Sequence, residues 1–429
     1  MRILHTADWH IGQTLNGWSR EAEHLAFLGN LGRVIADHQV DVLMVAGDEF
    51  DGINPSGDAQ RLLYGALADF LHQRPGLTVV MIAGNHDPAG RLEAPGAVLR
   101  ALGVYVVGTM QRHAGGVDMD RHLIPLRDAA GMTRAHVLAI PFLRASDLPG
   151  LTLGATGGAE SAIVTATRAL HAQMTDAALA CAGGLPVIAM GHLTCAGGLE
   201  SEGAERRILI GGEDAVPPDI YPRGLCYVAL GHLHLPQSLD GGRVRYSGSP
   251  FPLSATEIPY DHGVTLIDLA LDGTTITHLP MARPVDVLRL PATGALTPDE
   301  LDAAPVALSL DAGLARDVQP FVHVVIRAEH AVPVVLAAVE AVLARHPVRL
   351  ADLHLSRPET TAINEPPPAT LTGTGLYRDI SARIFERTEA ARTEHKELEI
   401  QRAAHHLLSD DALSALTQER MRCWQTRAC

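Results

Sequence analysis

The chain has 429 residues, of which 47% are hydrophobic and 19% are charged. That length and composition exclude a disordered chain and predict two or three folded domains. The formal net charge of −15 argues against direct binding of nucleic acids, because affinity for phosphates comes largely from Lys and Arg.

The first hundred residues repeat one pattern three times: an apolar strand, a polar loop and then a helix. The strands are predicted over residues 2–7, 41–46 and 77–83, and the helices over 20–38, 56–72 and 91–102. Ser19 is expected to cap the first of these helices. Strands that alternate with helices are typical of a layered α/β domain.

The alternation continues in the next part of the chain and then gives way to hairpins. Further strands are predicted over 123–126, 137–141, 185–190 and 226–230, with a helix over 160–181. The turns Asp240-Gly241-Gly242 and Asp272-Gly273 each lie between two short apolar runs, which predicts two β-hairpins.

The last third of the chain differs in pattern from the rest. A strand at 322–327, a helix at 332–345 and a strand at 348–355 predict a small α/β module. A Pro- and Thr-rich stretch follows it, and the chain ends in a charged helical segment. We predict four segments: a main domain at 1–290, a capping domain at 291–357, a linker at 358–375 and a helical tail at 376–429.

The five cysteines include no C-x-x-C pair, and their odd number argues against a disulfide framework or a structural zinc site. Cys195 is expected to be a small buried residue. No apolar run is long enough to cross a bilayer, and residues 1–6 lack the pattern of a secretion signal. These features predict a protein of the reducing cytoplasm.

Five polar clusters each follow a predicted strand. They are Asp8-x-His10, Gly47-Asp48, Gly84-Asn85-His86-Asp87, Gly191-His192 and Gly231-His232-x-His234. Ligands bind outside the carboxyl ends of strands in α/β sheets, so we expect the clusters to meet at one edge of one sheet. Residues two apart in an extended chain point the same way, which should align Asp8 with His10 and His232 with His234.

The residue types in these clusters predict a metal centre. Carboxylates, imidazoles and a carboxamide without a thiolate suit Mn²⁺, Fe²⁺ or Zn²⁺, and one carboxylate can bridge two ions. A single Asp or His at a strand end is often only a capping residue. A glycine precedes Asp48, Asn85, His192 and His232, which permits a sharp turn and a close approach of the backbone.

The order of the clusters resembles the calcineurin-like metallophosphoesterases, whose motifs are DxH, GDxxD, GNHD, GH and GHxH. Within that superfamily the chain is similar to the SbcD nucleases. The further matching segments are Ile3-Leu4-His5-Thr6, Val45-Ala46-Gly47-Asp48, Gly191-His192-Leu193-Thr194, Ala229-Leu230-Gly231-His232 and Tyr246-Ser247-Gly248-Ser249-Pro250. The resemblance covers residues 1–290 well and implies a layered β-sandwich flanked by helices.

The resemblance also implies a role for each motif residue. One metal would be held by Asp8, His10, Asp48 and His234, and the other by Asp48, Asn85, His192 and His232. His86 would stabilise charge at the scissile phosphate and assist the leaving oxygen, while Asp87 would orient His86. The expected cofactors are two divalent metal ions, with Mn²⁺ as the expected metal.

One position departs from the SbcD pattern. Glu49 stands where that pattern usually has an apolar residue. The predicted ligands are unaffected, but an added carboxylate beside Asp48 could change metal affinity or substrate preference.

Several other polar and aromatic residues have simpler interpretations. His5 is expected in the core, Asp51 is expected to be structural, and Trp9 is expected either to pack or to stack on a base. Surface positions are expected for the remaining histidines, such as His24, His113, His171 and His405.

The predicted function is that of a Mn²⁺-dependent DNA nuclease subunit in DNA repair and recombination. It would be an exonuclease on double-stranded ends and an endonuclease on single strands and hairpins. The resemblance implies an SbcC-like ATPase as partner, contacted by the tail, and a homodimer within a heterotetramer. Two alternatives stay open: a small-molecule phosphodiesterase or phosphatase of the same fold, and a non-catalytic scaffold for an ATPase on DNA.

Overall fold

A computed structural model describes residues 1–113, 116–128, 130–148, 161–200, 215–270, 273–327 and 332–356. The strands are β1 (Arg2–Thr6), β2 (Thr14–Leu15), β3 (Trp18–Ser19), β4 (Val42–Val45), β5 (Thr78–Ile82), β6 (Val104–Val107), β7 (Arg112–His113), β8 (Gly116–Val117), β9 (Leu123–Arg127), β10 (Thr133–Ala139), β11 (Val187–His192), β12 (Tyr227–Gly231), β13 (Gln237–Leu239), β14 (Val244–Tyr246), β15 (Gly263–Ala270), β16 (Gly273–Pro280), β17 (Val287–Leu290), β18 (Phe321–Arg327) and β19 (Arg349–Ser356). The helices are α1 (Glu21–Asp37), α2 (Gly57–Gln73), α3 (Ala89–Glu93), α4 (Gly96–Ala101), α5 (Met119–His122), α6 (Ala162–Ala182) and α7 (Val332–Leu343).

Two six-stranded mixed sheets form the centre of the fold. The first has the strand order β16-β15-β1-β4-β5-β6, and the second has the order β13-β14-β12-β11-β10-β9. Strands β1, β4, β5 and β6 run parallel, as do β10, β11, β12 and β14. The predicted hairpins are confirmed by the antiparallel pairs β13–β14 and β15–β16.

The sheets pack face to face, and helices cover both outer faces. Ile3, Met44 and Ile82 of the first sheet share one apolar cluster with Val137 and Ile188 of the second. The alternate residues of the first sheet pack against α1 and α2, and those of the second pack against α6. Strands buried on both faces are apolar throughout, which is why the sequence shows them clearly. The predicted layered sandwich is confirmed.

Two details of the predicted helices are wrong. The single helix expected over 91–102 is divided into α3 and α4, because Pro95 cannot donate a backbone hydrogen bond and instead begins α4. Arg20, not Ser19, occupies the N-cap position of α1, and it makes no side-chain capping bond. Ser19 lies one residue earlier, and its hydroxyl accepts a bond of 3.3 Å from the amide of Glu21.

A third sheet of three parallel strands, β17-β18-β19, forms the small α/β module. Helix α7 connects β18 to β19 and buries Val335, Val339 and Leu343 against the sheet. The βαβ pattern predicted in this part of the chain is therefore confirmed. The boundaries of the four predicted segments stay predictions, and the segments 358–375 and 376–429 lie outside the described residues.

Burial corrects several expectations for single residues. His24 and His171 were expected at the surface, but both are buried. His24 contacts two backbone carbonyl oxygens, of Arg20 and Trp9, each at 2.9 Å. Trp9 packs in the core, where its indole donates to Thr6 Oγ1, so it does not stack on a base.

The expected core positions of His5 and Cys195 are confirmed. His5 Nδ1 lies 2.9 Å from the hydroxyl of Tyr227. None of the helices in the described ranges is both long and apolar enough to cross a membrane.

The burial of His171 predicts a pH dependence of stability. Burial lowers the pKa of His171 from 6.5 to about 4. As the pH falls through 6.5 the unfolded chain takes up a proton that the folded chain does not bind, so stability is lost towards pH 4. This loss should reach about 3 kcal/mol for a fully buried group.

His171→Leu should therefore flatten the dependence of the urea unfolding free energy on pH between 6.5 and 4. His113→Leu, at an exposed histidine, is the control and should leave the slope unchanged. Equal slopes in His171→Leu and the unmodified protein would contradict the prediction.

Candidate metal centre

The five clusters meet at one end of the sandwich, at the carboxyl ends of strands from both sheets. Asp8, Asp48 and Asn85 follow β1, β4 and β5 of the first sheet. His192 ends β11 and His232 follows β12 of the second sheet. The clusters do converge as expected, but the expectation of a single sheet was wrong, because the strands that carry them belong to two sheets.

Three groups of side chains place their ligand atoms within 4.8 Å of one another. They are Asp8 with His10 and His234, Asp48 with His10 and His86, and Asp48 with His192 and His232. Asp48 occurs in two groups, and its Oδ2 lies 3.6 Å from His10 Nε2 and 3.3 Å from His192 Nε2. This central position suits a carboxylate shared by two metal ions.

The backbone at these residues is not extended. The φ angles are +56° at Asp8, +46° at His10, +55° at Asp48 and +98° at His232. The extended backbone expected at Asp8, His10 and His232 is therefore wrong, although the side chains do converge. Non-glycine residues in this left-handed region are strained, and such strain persists only where surrounding contacts hold it.

Two glycines are required by close approaches of the backbone. A Cβ atom on Gly84 would lie 2.1 Å from Asp48 Oδ1 and 2.5 Å from the amide nitrogen of Asp48. A Cβ atom on Gly231 would lie 2.1 Å from the carbonyl oxygen of Ala46. These contacts explain why glycine precedes the predicted ligands at both positions.

Three of the histidine rings are held at Nδ1 by an oxygen atom. His10 Nδ1 lies 3.2 Å from Asp51 Oδ1, and His192 Nδ1 lies 2.8 Å from the carbonyl oxygen of Ala46. His234 Nδ1 lies 2.9 Å from Glu257 Oε1. A contact at Nδ1 fixes the ring, so Nε2 is the nitrogen that we assign to metal binding.

The sequence reasoning missed two of these partners. Asp51 was expected to be structural, although it is the second Asp of the GDxxD motif, and that motif was the signal for a place at the centre. Glu257 lies 23 residues beyond His234 in sequence. A short turn, Ala255–Glu257, brings it back to the centre.

Asn85, His86 and Asp87 take three different positions. Asn85 Oδ1 lies 3.0 Å from His192 Nε2. The amide of His86 donates to Asp48 Oδ1 at 2.8 Å, and His86 Nδ1 lies 2.9 Å from the carbonyl oxygen of Asp51. Asp87 accepts bonds from the amides of Gly84, Glu49 and Phe50, so it ties the β4 and β5 loops together. That Asp87 orients His86 stays a prediction.

Burial and neighbouring charges shift the pKa values of the two aspartates of the centre. Burial raises the pKa of Asp8 to about 6, although neighbouring histidines partly oppose it. Burial would also raise the pKa of Asp48, but the charge and hydrogen bond of His192 and the charge of His10 outweigh it and hold the pKa well below its usual range.

The histidines respond to burial in opposite directions. Burial would lower the pKa of His192, but the charge and hydrogen bond of Asp48 raise it to about 9. The pKa of His232 falls well below its ordinary value through burial and the charge of His192. Burial would raise the pKa of Glu257, but the charge of His234 lowers it.

Glu49 is fully buried beside Asp48. Burial first, and then the charge of Asp87, raise its pKa well above the ordinary value. Both effects favour the neutral acid over the carboxylate. The effect of Glu49 on metal affinity or substrate preference stays a prediction.

The donor set fits divalent metal ions. His10 Nε2 is buried and has no hydrogen-bond partner among the described residues, a condition that a metal ion would relieve. The rings of His10 and His86 lie 4.7 Å apart, and those of His192 and His232 lie 5.4 Å apart. An imidazole binds a metal ion through a deprotonated ring nitrogen. The lowered pKa of His232 meets this condition, whereas at His192, whose pKa is raised, a metal ion would have to displace a proton.

The sandwich and its histidine–carboxylate centre define a metal-dependent phosphoesterase. The chain belongs to the calcineurin-like phosphoesterase family, whose family model matches residues 1–236. Divalent metal ions as cofactors are confirmed at the level of this family.

Its relatives point to one branch of the family. The chain is 62% identical over 374 residues to the SbcD subunit of the nuclease SbcCD from Rhodobacter capsulatus, a match that covers 87% of this chain and 92% of the relative. It is 38% identical over 296 residues to the SbcD protein of Escherichia coli K12, with 67% and 71% covered. Identity to the SbcD protein of Bacillus subtilis is 34% over 275 residues, with 62% and 66% covered. The resemblance to SbcD is confirmed.

The close packing at Gly84 predicts the outcome of one substitution. Gly84→Ala should push Asp48 out of place, weaken metal binding and destabilise the protein by about 1–3 kcal/mol through overpacking. Isothermal titration with Mn²⁺ and thermal unfolding would measure the two effects.

Gly90→Ala is the matched control, because a Cβ atom at Gly90 meets nothing within 4 Å. It should bind metal as the unmodified protein does. If Gly84→Ala behaved like Gly90→Ala, the packing argument would be wrong.

Proposed function

We propose that the protein is a Mn²⁺-dependent DNA nuclease subunit that hydrolyses phosphodiester bonds in DNA repair and recombination. It acts as an exonuclease on double-stranded ends and as an endonuclease on single strands and hairpins. The main support is the pair of ligand groups joined by Asp48, in a chain 62% identical to the SbcD subunit of an SbcCD nuclease.

Seven residues hold two metal ions in this proposal. One ion takes Asp8, His10, Asp48 and His234, and the other takes Asp48, Asn85, His192 and His232. The group of Asp8, His10 and His234 and the group of Asp48, His192 and His232 support this division, and a third group places His86 beside His10 and Asp48. When bound, the ions would lower the pKa of a water molecule and draw charge from the phosphate.

His86 is the proposed catalytic residue of the chain. Its amide contacts Asp48 and its ring lies beside that of His10, so it stands next to the metal ligands. With Nδ1 at the carbonyl oxygen of Asp51, Nε2 is the nitrogen assigned to the phosphate. There it stabilises charge on the phosphate oxygens and assists departure of the leaving oxygen.

An SbcC-like ATPase would supply what this chain lacks. The sequence has no G-x-x-x-x-G-K-[ST] loop for ATP, and its net charge of −15 favours a partner that carries much of the DNA surface. The tail at 376–429 is the proposed contact for this partner, and it lies outside the described residues.

Helices α1 and α2 are the proposed contact of a homodimer, within a heterotetramer. They border a groove of about 340 Å³ that is lined by Leu25, Leu28, Gly29, Leu62 and Gly65 among others. Leu25 is 54% exposed, although it is a large apolar side chain. Small residues beside an exposed leucine allow the helices of a second copy to approach closely.

Cleavage of a labelled DNA hairpin tests the nuclease proposal. The purified protein with its ATPase partner should cleave the hairpin in the presence of Mn²⁺. His86→Ala should keep its metal, measured by elemental analysis, and lose cleavage by about 100-fold or more.

Two other results would overturn the proposal. Turnover of a small phosphodiester without DNA cleavage under any divalent metal would favour the small-molecule enzyme. Absence of both activities with full metal content would favour the scaffold. Loss of metal in His86→Ala would show instead that His86 is a ligand.

The homodimer makes a separate prediction. Leu25→Asp should place a charge in the dimer contact and give a monomer in size-exclusion chromatography with light scattering. Leu102→Asp is the control, since Leu102 is 57% exposed and does not line the groove. A monomeric unmodified protein, or a dimer that survives Leu25→Asp, would exclude this contact.

A further inference from the structure

Glu257 is a buried carboxyl group that contacts a predicted metal ligand. It ends the turn Ala255–Glu257 and has no exposed surface. Its Oε1 accepts a hydrogen bond of 2.9 Å from Nδ1 of His234. A buried carboxylate costs free energy unless both of its oxygens accept hydrogen bonds. The other hydrogen bonds of Glu257 therefore show how its carboxylate is held.

Three further donors fix the Glu257 carboxylate. Oε2 accepts from the amide of Leu253 at 2.9 Å and from Ser249 Oγ at 3.3 Å. Oε1 also accepts from Ser254 Oγ at 3.2 Å. All three donors come from the loop at 249–254, so the carboxylate cannot rotate without breaking bonds on both oxygens.

The segment from this loop to Ile258 is held by contacts on both sides of Glu257. Arg20 Nη2 donates to the carbonyl oxygen of Pro252 at 2.8 Å, and the Arg20 guanidinium lies 4.8 Å from the ring centroid of Phe251. On the other side, Ile258 packs against the apolar cluster that contains Val287 and Phe321 of the small sheet. The backbone on both sides of Glu257 is therefore held in place by these contacts.

The other two ring contacts at Nδ1 are of different kinds. The Asp51 side chain at His10 is 41% exposed. His192 is held by a backbone carbonyl oxygen. Among the three contacts, the one at His234 combines a full charge with burial, and these are the conditions under which a partner most strengthens an imidazole as a metal ligand.

We propose that Glu257 is a positioning residue that acts through His234. It fixes the ring of His234 so that Nε2 is free for the metal, and it strengthens binding of the ion assigned to Asp8, His10, Asp48 and His234. The second ion, at Asp48, His192 and His232, does not depend on it. This inference rests on the proposed function, because it assumes that His234 is a ligand.

Titration of Mn²⁺ into the metal-free protein tests the proposal. The unmodified protein should bind two ions and give the electron paramagnetic resonance spectrum of a coupled Mn²⁺ pair. Glu257→Gln keeps the shape but loses the charge and places its amide donor against a donor on one side, either the Leu253 amide or the ring of His234. It should weaken one site by about 10–100-fold and leave the other unchanged. At one equivalent of Mn²⁺ its spectrum should then be that of an isolated ion.

Two further variants separate positioning from general stability. Glu93→Gln is the matched control, because Glu93 also accepts bonds from backbone amides, those of Gly108 and Thr109, away from the centre. It should bind two ions normally. Ser254→Ala removes one bond to Glu257 at the edge of the network and should weaken the same single site by a smaller factor, even if Glu257→Gln does not fold.

The outcomes distinguish this inference from the proposal on which it rests. If the unmodified protein binds fewer than two ions, the assignment of ligands fails. If the unmodified protein binds two ions, and Glu257→Gln and Ser254→Ala bind both with the same affinities, Glu257 has no positioning role. An equal loss at both sites, accompanied by a lower melting temperature, would make Glu257 a structural residue and would also overturn the inference.

Discussion

The buried carboxylate of Asp48 is the constraint on which the arrangement of the centre depends. Its Oδ2 faces His10 and His192, and its Oδ1 accepts a hydrogen bond from the amide of His86. His10 and His86 come from loops of the first sheet, whereas His192 ends a strand of the second. A carboxylate that is shielded from solvent must keep these hydrogen-bond and charge partners. The relative position of the two sheets is therefore tightly constrained at this end of their strands.

The strained backbone agrees with this view. Asp8, Asp48 and His232 occupy the left-handed region, and each is held by a contact with another loop. The amide of Asp8 donates to the carbonyl oxygen of Gly47, and the amide of His232 donates to Asp8 Oδ1. The loops therefore restrain one another, and the packed sandwich supplies the stability that offsets the strain.

The sequence was sufficient for features that are local in the chain. Doubly buried strands are continuous apolar runs, and each predicted ligand follows such a run directly, so both could be predicted. The burial of His171 and the contacts of Asp51 and Glu257 could not, because each depends on a partner from a different loop or helix. The φ angle of His10 was also beyond reach, because it follows from contacts between the loops and not from residue type.

The position of Glu257 extends the centre beyond its motifs. The family model matches residues 1–236, and the last predicted ligand, His234, lies at the end of that range. Yet the group that holds the His234 ring lies at residue 257, and the next residue packs against the small sheet. A ring that can rotate binds metal less tightly than one that is fixed. The motif region can therefore supply the predicted ligands and hold the rings of His10 and His192, but the ring of His234 is held by the chain that folds back after it.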